Sequence, residues 1–174
     1  MMPTDASAGV PAAGRDDTVS VIVSSYNYEA HVVDAVRSAL DQRHPPAQVI
    51  VVDDGSSDGS AEDLSQLAER YPHLRVIRNP DNRGFGPANN QGLTVARGEI
   101  LVLLNSDTMV PVGWLTRLAH HLADPRLGLI GPATNRTCNE AQIAAPYTTY
   151  GEFLRFARTR SADHDGMRHP IRMP

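Results

Sequence analysis

Four short polar segments carry the residues that can do chemistry: Ser24-Ser25-Tyr26-Asn27, Asp53-Asp54-Gly55-Ser56-Ser57-Asp58, Asn82 through Gly92, and Asn105-Ser106-Asp107. An Asp in the second segment can accept a hydrogen bond from a base N–H, such as N3 of uracil, or from a ribose hydroxyl. Gly55 lets the backbone approach a ligand closely. Tyr26 can stack on a base while Ser24 bonds its edge. Asp107, beside Asn105, suits a hard divalent cation, which takes few protein carboxylates and completes its shell with phosphate oxygens. The segment from Asn82 opens a helix with two glycines, Gly84 and Gly86. It can cradle a phosphate at the helix N-terminus, with Arg83 as the pairing cation. Each segment also has a plainer reading. The Asp-Gly-Ser run makes a capped turn, Tyr26 covers a core margin, Asn105 to Asp107 starts a helix or turn, and the glycines turn or pack closely. Taken singly, the residues leave both readings open.

The elements that must position these segments alternate along the chain. Val19 to Ser25, Val49 to Val52, Leu74 to Ile77 and Ile100 to Leu104 are short apolar runs that read as buried strands, and Leu127 to Ile130 reads as a fifth. Helical stripes lie between them: Val32, Val33, Val36, Ala39 and Leu40; then Leu64, Leu67, Ala68 and Tyr71, capped by Ser57 or Asp58. A third helix runs to about Arg97 with Gly98 as its C-cap, and a fourth follows Pro111 with Leu115, Leu118, Ala119 and Leu122 inward. A short helix is expected around Glu152 to Arg158. Strands alternating with helices predict an α/β fold, a mostly parallel twisted sheet with helices on both faces. Ligands on such sheets bind beyond the carboxyl ends of the strands. All four polar segments fall there or at the helix start that follows.

Composition narrows the function classes. The chain has 174 residues and a formal net charge of -4, so it lacks the basic surplus of a nucleic-acid binder. All 16 basic residues are Arg. The absence of Lys excludes a P-loop in the Asn82 segment and argues against a receiver-type signalling domain, which also carries paired Asp after a strand. The spacing of Gly84 and Gly86 is not that of a dinucleotide fingerprint after the first strand. A nucleotidyltransferase is disfavoured because its Gly-rich, basic N-terminal signature is absent. The single Cys, Cys138, fits a reducing compartment. No apolar run approaches the roughly 20 residues of a membrane helix. Residues 1–17 read as a disordered leader, 18–133 as the core, and 134–174 as a partial further segment with a polar tail.

The ordered set of segments resembles glycosyltransferase family 2. The resemblance rests on Val19-Ser20-Val21-Ile22-Val23-Ser24-Ser25-Tyr26-Asn27, Val51-Val52-Asp53-Asp54-Gly55-Ser56-Ser57-Asp58, Asn82-Arg83-Gly84 with Ala88-Asn89 and Gly92, and Ala96-Arg97-Gly98-Glu99 leading to Leu103-Leu104-Asn105-Ser106-Asp107. It implies a GT-A fold, an inverting mechanism and a nucleotide-diphosphate sugar donor of UDP or dTDP type. By the same resemblance Tyr26 packs on the base beside Ser24, Asp54 reads the base, Asp53 lines the same pocket, and Asp107 ligates a divalent cation, Mn²⁺ or Mg²⁺. Asn105 stands where the metal motif usually opens with Asp. This N-x-D variant, with Asn139-Glu140 and Gln142, is similar to bacterial members that build cell-surface polysaccharides on glycan or lipid-linked acceptors. With the lone Cys138 and no apolar membrane run, the protein is expected in the cytoplasm, with peripheral association at the inner face of the membrane as a compatible arrangement. The family's general base belongs to a carboxylate-rich segment beyond the metal motif. Residues 134 to 174 offer only Asp163 and Asp165 around His164, so the chain reads as truncated before the acceptor half. The alternative is a binding fragment without turnover.

Overall fold

β-Branched and other apolar residues dominate the strands that form: β1 (Val19–Ser25), β2 (Gln48–Asp53), β3 (Leu74–Arg78) and β4 (Ile100–Asn105). The computed structural model describes residues 18–137 and 139–169. The expected leader, Cys138 and the last five positions of the tail, 170–174, lie outside the described residues. The strands form one parallel sheet in the order β3-β2-β1-β4. Parallel neighbours need crossovers, and the helices supply them: α1 (Glu29–Leu40), α2 (Ser60–Arg70) and α3 (Phe85–Val95) connect the strands in turn. Beyond β4 lie α4 (Trp114–Leu122) and α5 (Tyr150–Asp163). The expected α/β fold with helices on both faces is present.

Side chains alternate between faces along a strand, and parallel register keeps paired residues on one face. Ile22 pairs with Ile50 and Leu103, and Ser24 with Val52 and Asn105. This face meets α3, where Ile22, Ile50, Val52 and Ala88 form a small core. The other face carries Val21, Val23, Val49, Val51 and Leu104. It packs with Val32 and Val36 of α1, Leu64 and Leu67 of α2, and Trp114 and Leu115 of α4 in the main core.

Several expectations need correction. Leu127 to Ile130 forms no strand. The Leu127 N–H donates to the Asp124 carbonyl at 3.0 Å, closing a turn where a ladder bond would be needed. β4 is not buried on both faces. The small core under α3 involves β1 and β2 but not β4, and Leu101 and Leu103 are 49% and 55% exposed. Gly98 is not a helix cap: α3 ends at Val95 with Ala96 as C-cap. Gly98 instead lies against the start of β1, where an added Cβ would stand 2.5 Å from the Ser20 nitrogen and 2.7 Å from the Thr18 oxygen. Its N–H donates to Ser20 Oγ at 2.9 Å. The short helix near Glu152 extends to Asp163, into the segment read as an unanchored tail. Thr149 and Glu152 start it with a reciprocal capping box. Farther along, Arg168 pairs with Asp124 at 3.0 Å.

Candidate functional site

The chain runs from β1 outward to β3, then returns to place β4 on the other side of β1. The reversal opens a crevice beyond the carboxyl ends of β1 and β4. There lies a cleft of about 420 Å³. Ser24, Tyr26, Asp54, Asn105 and Asp107 all line it, with Phe85 and Ala88 from α3 among the further lining residues. Five of the seven expected nucleotide- or metal-binding residues are therefore brought together by the sheet order.

Asp54 is 3% exposed and organises the cleft wall. Its Oδ2 accepts the N–H groups of Arg83 and Gly84, both at 2.8 Å. Its Oδ1 accepts Asn79 Nδ2 at 2.8 Å. Asn79 Nδ2 also reaches Gln91 Oε1 at 2.9 Å. A carboxylate offers about four lone-pair positions, so these three bonds leave roughly one for a ligand, on Oδ1. Ser24 is held similarly. Its Oγ accepts Asn89 Nδ2 at 3.1 Å, while the same nitrogen donates to the Phe85 carbonyl at 2.8 Å. The Ser24 hydroxyl hydrogen is thus free to donate elsewhere.

The loop carrying Tyr26 is clamped to the loop after β2. Asn27 adopts a left-handed conformation, φ 54°, which Asn tolerates better than most residues. Its N–H donates to Ser56 Oγ at 2.9 Å, and its Oδ1 accepts the Ser57 N–H at 2.8 Å. The Glu29 N–H donates to Asp58 Oδ2 at 3.0 Å, and the Gly59 N–H returns a bond to Glu29 Oε2 at 3.1 Å. The N-cap of α2 is Gly59, not Ser57 or Asp58 as expected, and it has no side chain to cap with; Asp58, one residue earlier, accepts the Ser60 N–H at 3.0 Å. The Ser60 hydroxyl, then the N–H groups of Glu29 and Ser60, hold the Asp58 carboxyl below its ordinary pKa. A neighbouring hollow includes Glu29 and Asp58 in its lining, but both carboxylates are engaged in this clamp.

Two expected site residues fall elsewhere. Asp53 pairs in register with Ser25, on the face opposite Ser24, and it does not line the cleft. It is 1% exposed on the side covered by α1 and α2, and its Oδ1 finds no hydrogen-bond partner. Arg83 is exposed and also lies outside the cleft lining. It contributes its backbone N–H to Asp54, not its guanidinium to the cleft. Gly55 is needed for a different reason from the one expected. Its φ is +78°, and a Cβ there would stand 2.8 Å from the Asp81 carbonyl carbon, so it accommodates the loop after β3, not a ligand. Tyr28 and Phe85 line the cleft although the motif reading gave neither a role, and Phe85 is the more exposed of the two. The signal for Phe85 is a large apolar residue between two glycines at a helix start.

A divalent cation can be tested against the donor set. Among the described residues no group of three or more His, Cys, Asp or Glu side chains could hold an ion. Asp107 is exposed at the cleft, next to Asn105 and Ser106. One carboxylate flanked by neutral oxygens fits a hard ion whose remaining ligands come from a diphosphate.

The sequence model described as "Glycosyl transferase family 2" matches residues 20–171, most of the chain. The chain belongs to glycosyltransferase family 2. Among relatives, it is 39% identical over 89 residues to the putative teichuronic acid biosynthesis glycosyltransferase TuaG of Bacillus subtilis, covering 51% of this chain and 35% of TuaG. It is 35% identical over 108 residues to the succinoglycan biosynthesis protein ExoO of Rhizobium meliloti, covering 62% of this chain and 30% of ExoO. Similar solved structures include mannosyltransferase PcManGT from Pyrobaculum calidifontis in complex with GDP-Man and Mn²⁺, with a TM-score of 0.60, 32% identity, and coverage of 63% and 33% of the two chains. Another is S. aureus TarS 1-349 in complex with UDP-GlcNAc, with a TM-score of 0.56, 28% identity, and coverage of 62% and 31%. The matched part spans 28–40% of the length of the curated relatives, so it corresponds to about a third of a family 2 relative. The fold is the GT-A type of these neighbours, a Rossmann-like parallel sheet.

Proposed function

We propose that this chain is the donor-binding part of an inverting glycosyltransferase that uses a nucleotide-diphosphate sugar in cell-surface polysaccharide synthesis. The observation that carries the reading is the convergence of Ser24, Tyr26, Asp54, Asn105 and Asp107 on one cleft at the switch in strand order. Tyr26 supplies an aromatic face for the base. Asp54 offers an acceptor to a base N–H and Ser24 a donor to an adjacent carbonyl, which is the edge that uracil and thymine present. Asn105 and Asp107 stand at the β4 end, where the diphosphate would lie. A divalent cation bound there supplies charge neutralisation for the leaving diphosphate. Neighbours complexed with UDP-GlcNAc, or with GDP-Man and Mn²⁺, support the ligand class. TuaG and ExoO support the polysaccharide context.

In the inverting reaction, an acceptor hydroxyl oxygen attacks the anomeric carbon from the face opposite the diphosphate. The bond to the diphosphate oxygen breaks, and a base takes the hydroxyl proton. Among the described residues, Asp54 and Asp107 are the only carboxylates lining the cleft. Asp54 is occupied by three donors, and Asp107 is assigned to the cation. This distribution favours a chain whose nucleotide binding is separable from transfer. Calorimetry with UDP, dTDP and GDP, each with and without Mn²⁺ or Mg²⁺, tests the reading. We expect binding of at least one nucleotide, strengthened by the ion, with the ion dependence abolished in Asp107→Ala. A folded sample that binds none of the three overturns the donor-site assignment. Ion dependence that survives Asp107→Ala overturns the metal assignment alone.

A further inference from the structure

We infer that Phe85 is a second base-stacking residue, facing the same nucleobase as Tyr26 and contributing to nucleotide affinity. The inference rests on the nucleotide reading above and concerns a side chain to which that reading gives no task. Phe85 is 66% exposed, and it is among the residues that line the cleft. It belongs to neither hydrophobic core, so the fold does not account for a large apolar side chain here. Its backbone, by contrast, is fixed on both sides. The preceding Gly84 donates its N–H to Asp54 Oδ2 and to Asn82 Oδ1, both at 2.8 Å. The Phe85 carbonyl accepts Asn89 Nδ2, which also holds Ser24. An exposed ring on a pinned backbone has little backbone entropy left to lose when a flat ligand meets it.

Sheet order decides which part of the ligand that is. Asp54 follows β2 and Asp107 follows β4, with β1 and Ser24 between them. The cation and diphosphate belong at the β4 end. Phe85 follows Gly84, which is bonded to Asp54, so it stands at the β2 end with the base. Tyr26 lines the same cleft from the loop after β1. Tyr28 also lines the cleft, but its ring packs on His31 with centroids 6.2 Å apart. A planar base is the ligand class that uses an aromatic face in this position, and stacking accepts any base.

The test compares a nucleotide with its phosphate portion alone. UDP, dTDP and GDP are titrated into the wild-type chain with Mn²⁺, and the tightest of them is carried forward beside inorganic pyrophosphate. In Phe85→Ala we expect nucleotide affinity to fall about 5- to 100-fold, the range of a lost base stack. Pyrophosphate affinity and melting temperature should stay unchanged, because Phe85 is exposed and outside both cores, while Asp107 follows β4 at the other end of the strand order. Phe85→Trp should restore nucleotide binding. Nucleotide affinity unchanged in Phe85→Ala, or a loss shared equally by pyrophosphate, overturns the inference while leaving the nucleotide reading intact. Failure of the wild type to bind any of the three nucleotides overturns both.

Discussion

Asp54 shows how one side chain can build a site and also belong to it. Its carboxylate collects two backbone N–H groups from the start of α3 and the amide of Asn79. Bonds to a charged acceptor are stronger than neutral ones, and removing the acceptor leaves its donors unpaired. Asp54→Ala is therefore expected to lower folding stability by about 2 to 4 kcal/mol as well as weaken nucleotide binding. Urea unfolding beside calorimetry checks both effects. A loss of affinity with no loss of stability would mean that the carboxylate serves only the ligand. Asp54→Asn should not rescue the wall, since its amide nitrogen would face donors from Arg83, Gly84 or Asn79. Asp53, one residue earlier, has the same chemistry and none of these partners, because strand alternation turns it to the other face.

α5 carries its own acid-sensitive device. No residue of this helix is buried, so local contacts matter more to it than core packing does. The N–H groups of Thr148 and then Thr149, with both hydroxyls, hold the Glu152 carboxyl down to about 2 from an ordinary value of 4.5. A carboxylate whose pKa is lower in the folded state contributes stability that is fully present above its unfolded value. That contribution disappears as pH falls through the folded value. The start of α5 should therefore keep its cap at pH 5 to 7 and lose it between roughly pH 4.5 and 2. Amide exchange or chemical shifts of residues 149–153, followed through an acid titration, measure this. Glu152→Gln should flatten the acid response. An unchanged response in that variant would assign the loss to another group.

The whole molecule covers one side of its sheet more fully than the other. Among the described residues, α1, α2 and α4 pack on one face, while α3 alone of the helices contributes to the core on the other. Leu101 and Leu103 on β4 are consequently half exposed, on a strand at the edge of the sheet. An apolar edge strand is a template for unwanted pairing. Replacing both leucines with Thr, a residue suited to strands, should change folding stability by no more than about 0.5 kcal/mol each and reduce self-association. Urea midpoints and light scattering provide the measurements. A loss of about 2 to 5 kcal/mol per site, as for a buried leucine, would mean that another surface covers them in solution.

Much of this arrangement was legible before any fold was known. β-Branched runs, helical stripes and polar strand ends are local patterns, and four of the five expected strands formed where those patterns lay. The polar termini of β1, β2 and β4 were readable for the same reason, together with the single carboxylate near the end of β4. Other features depended on residues far apart in the chain. Only the order β3-β2-β1-β4 brings Ser24, Asp54 and Asp107 to one cleft, and strand order is a matter of nonlocal pairing. The same pairing separates Asp53 from Asp54, although the two are alike as residues. It sets Gly98 against the backbone of β1, a contact about eighty positions away that no cap motif contains. It also leaves Leu127 to Ile130 without a strand partner, and a strand exists only where a neighbouring edge completes its hydrogen bonds. Phe85 is the clearest case. An apolar residue at a helix start looks like core in the sequence, and only the position of α3 across β1 and β2 shows that it stands outside the core and lines the cleft.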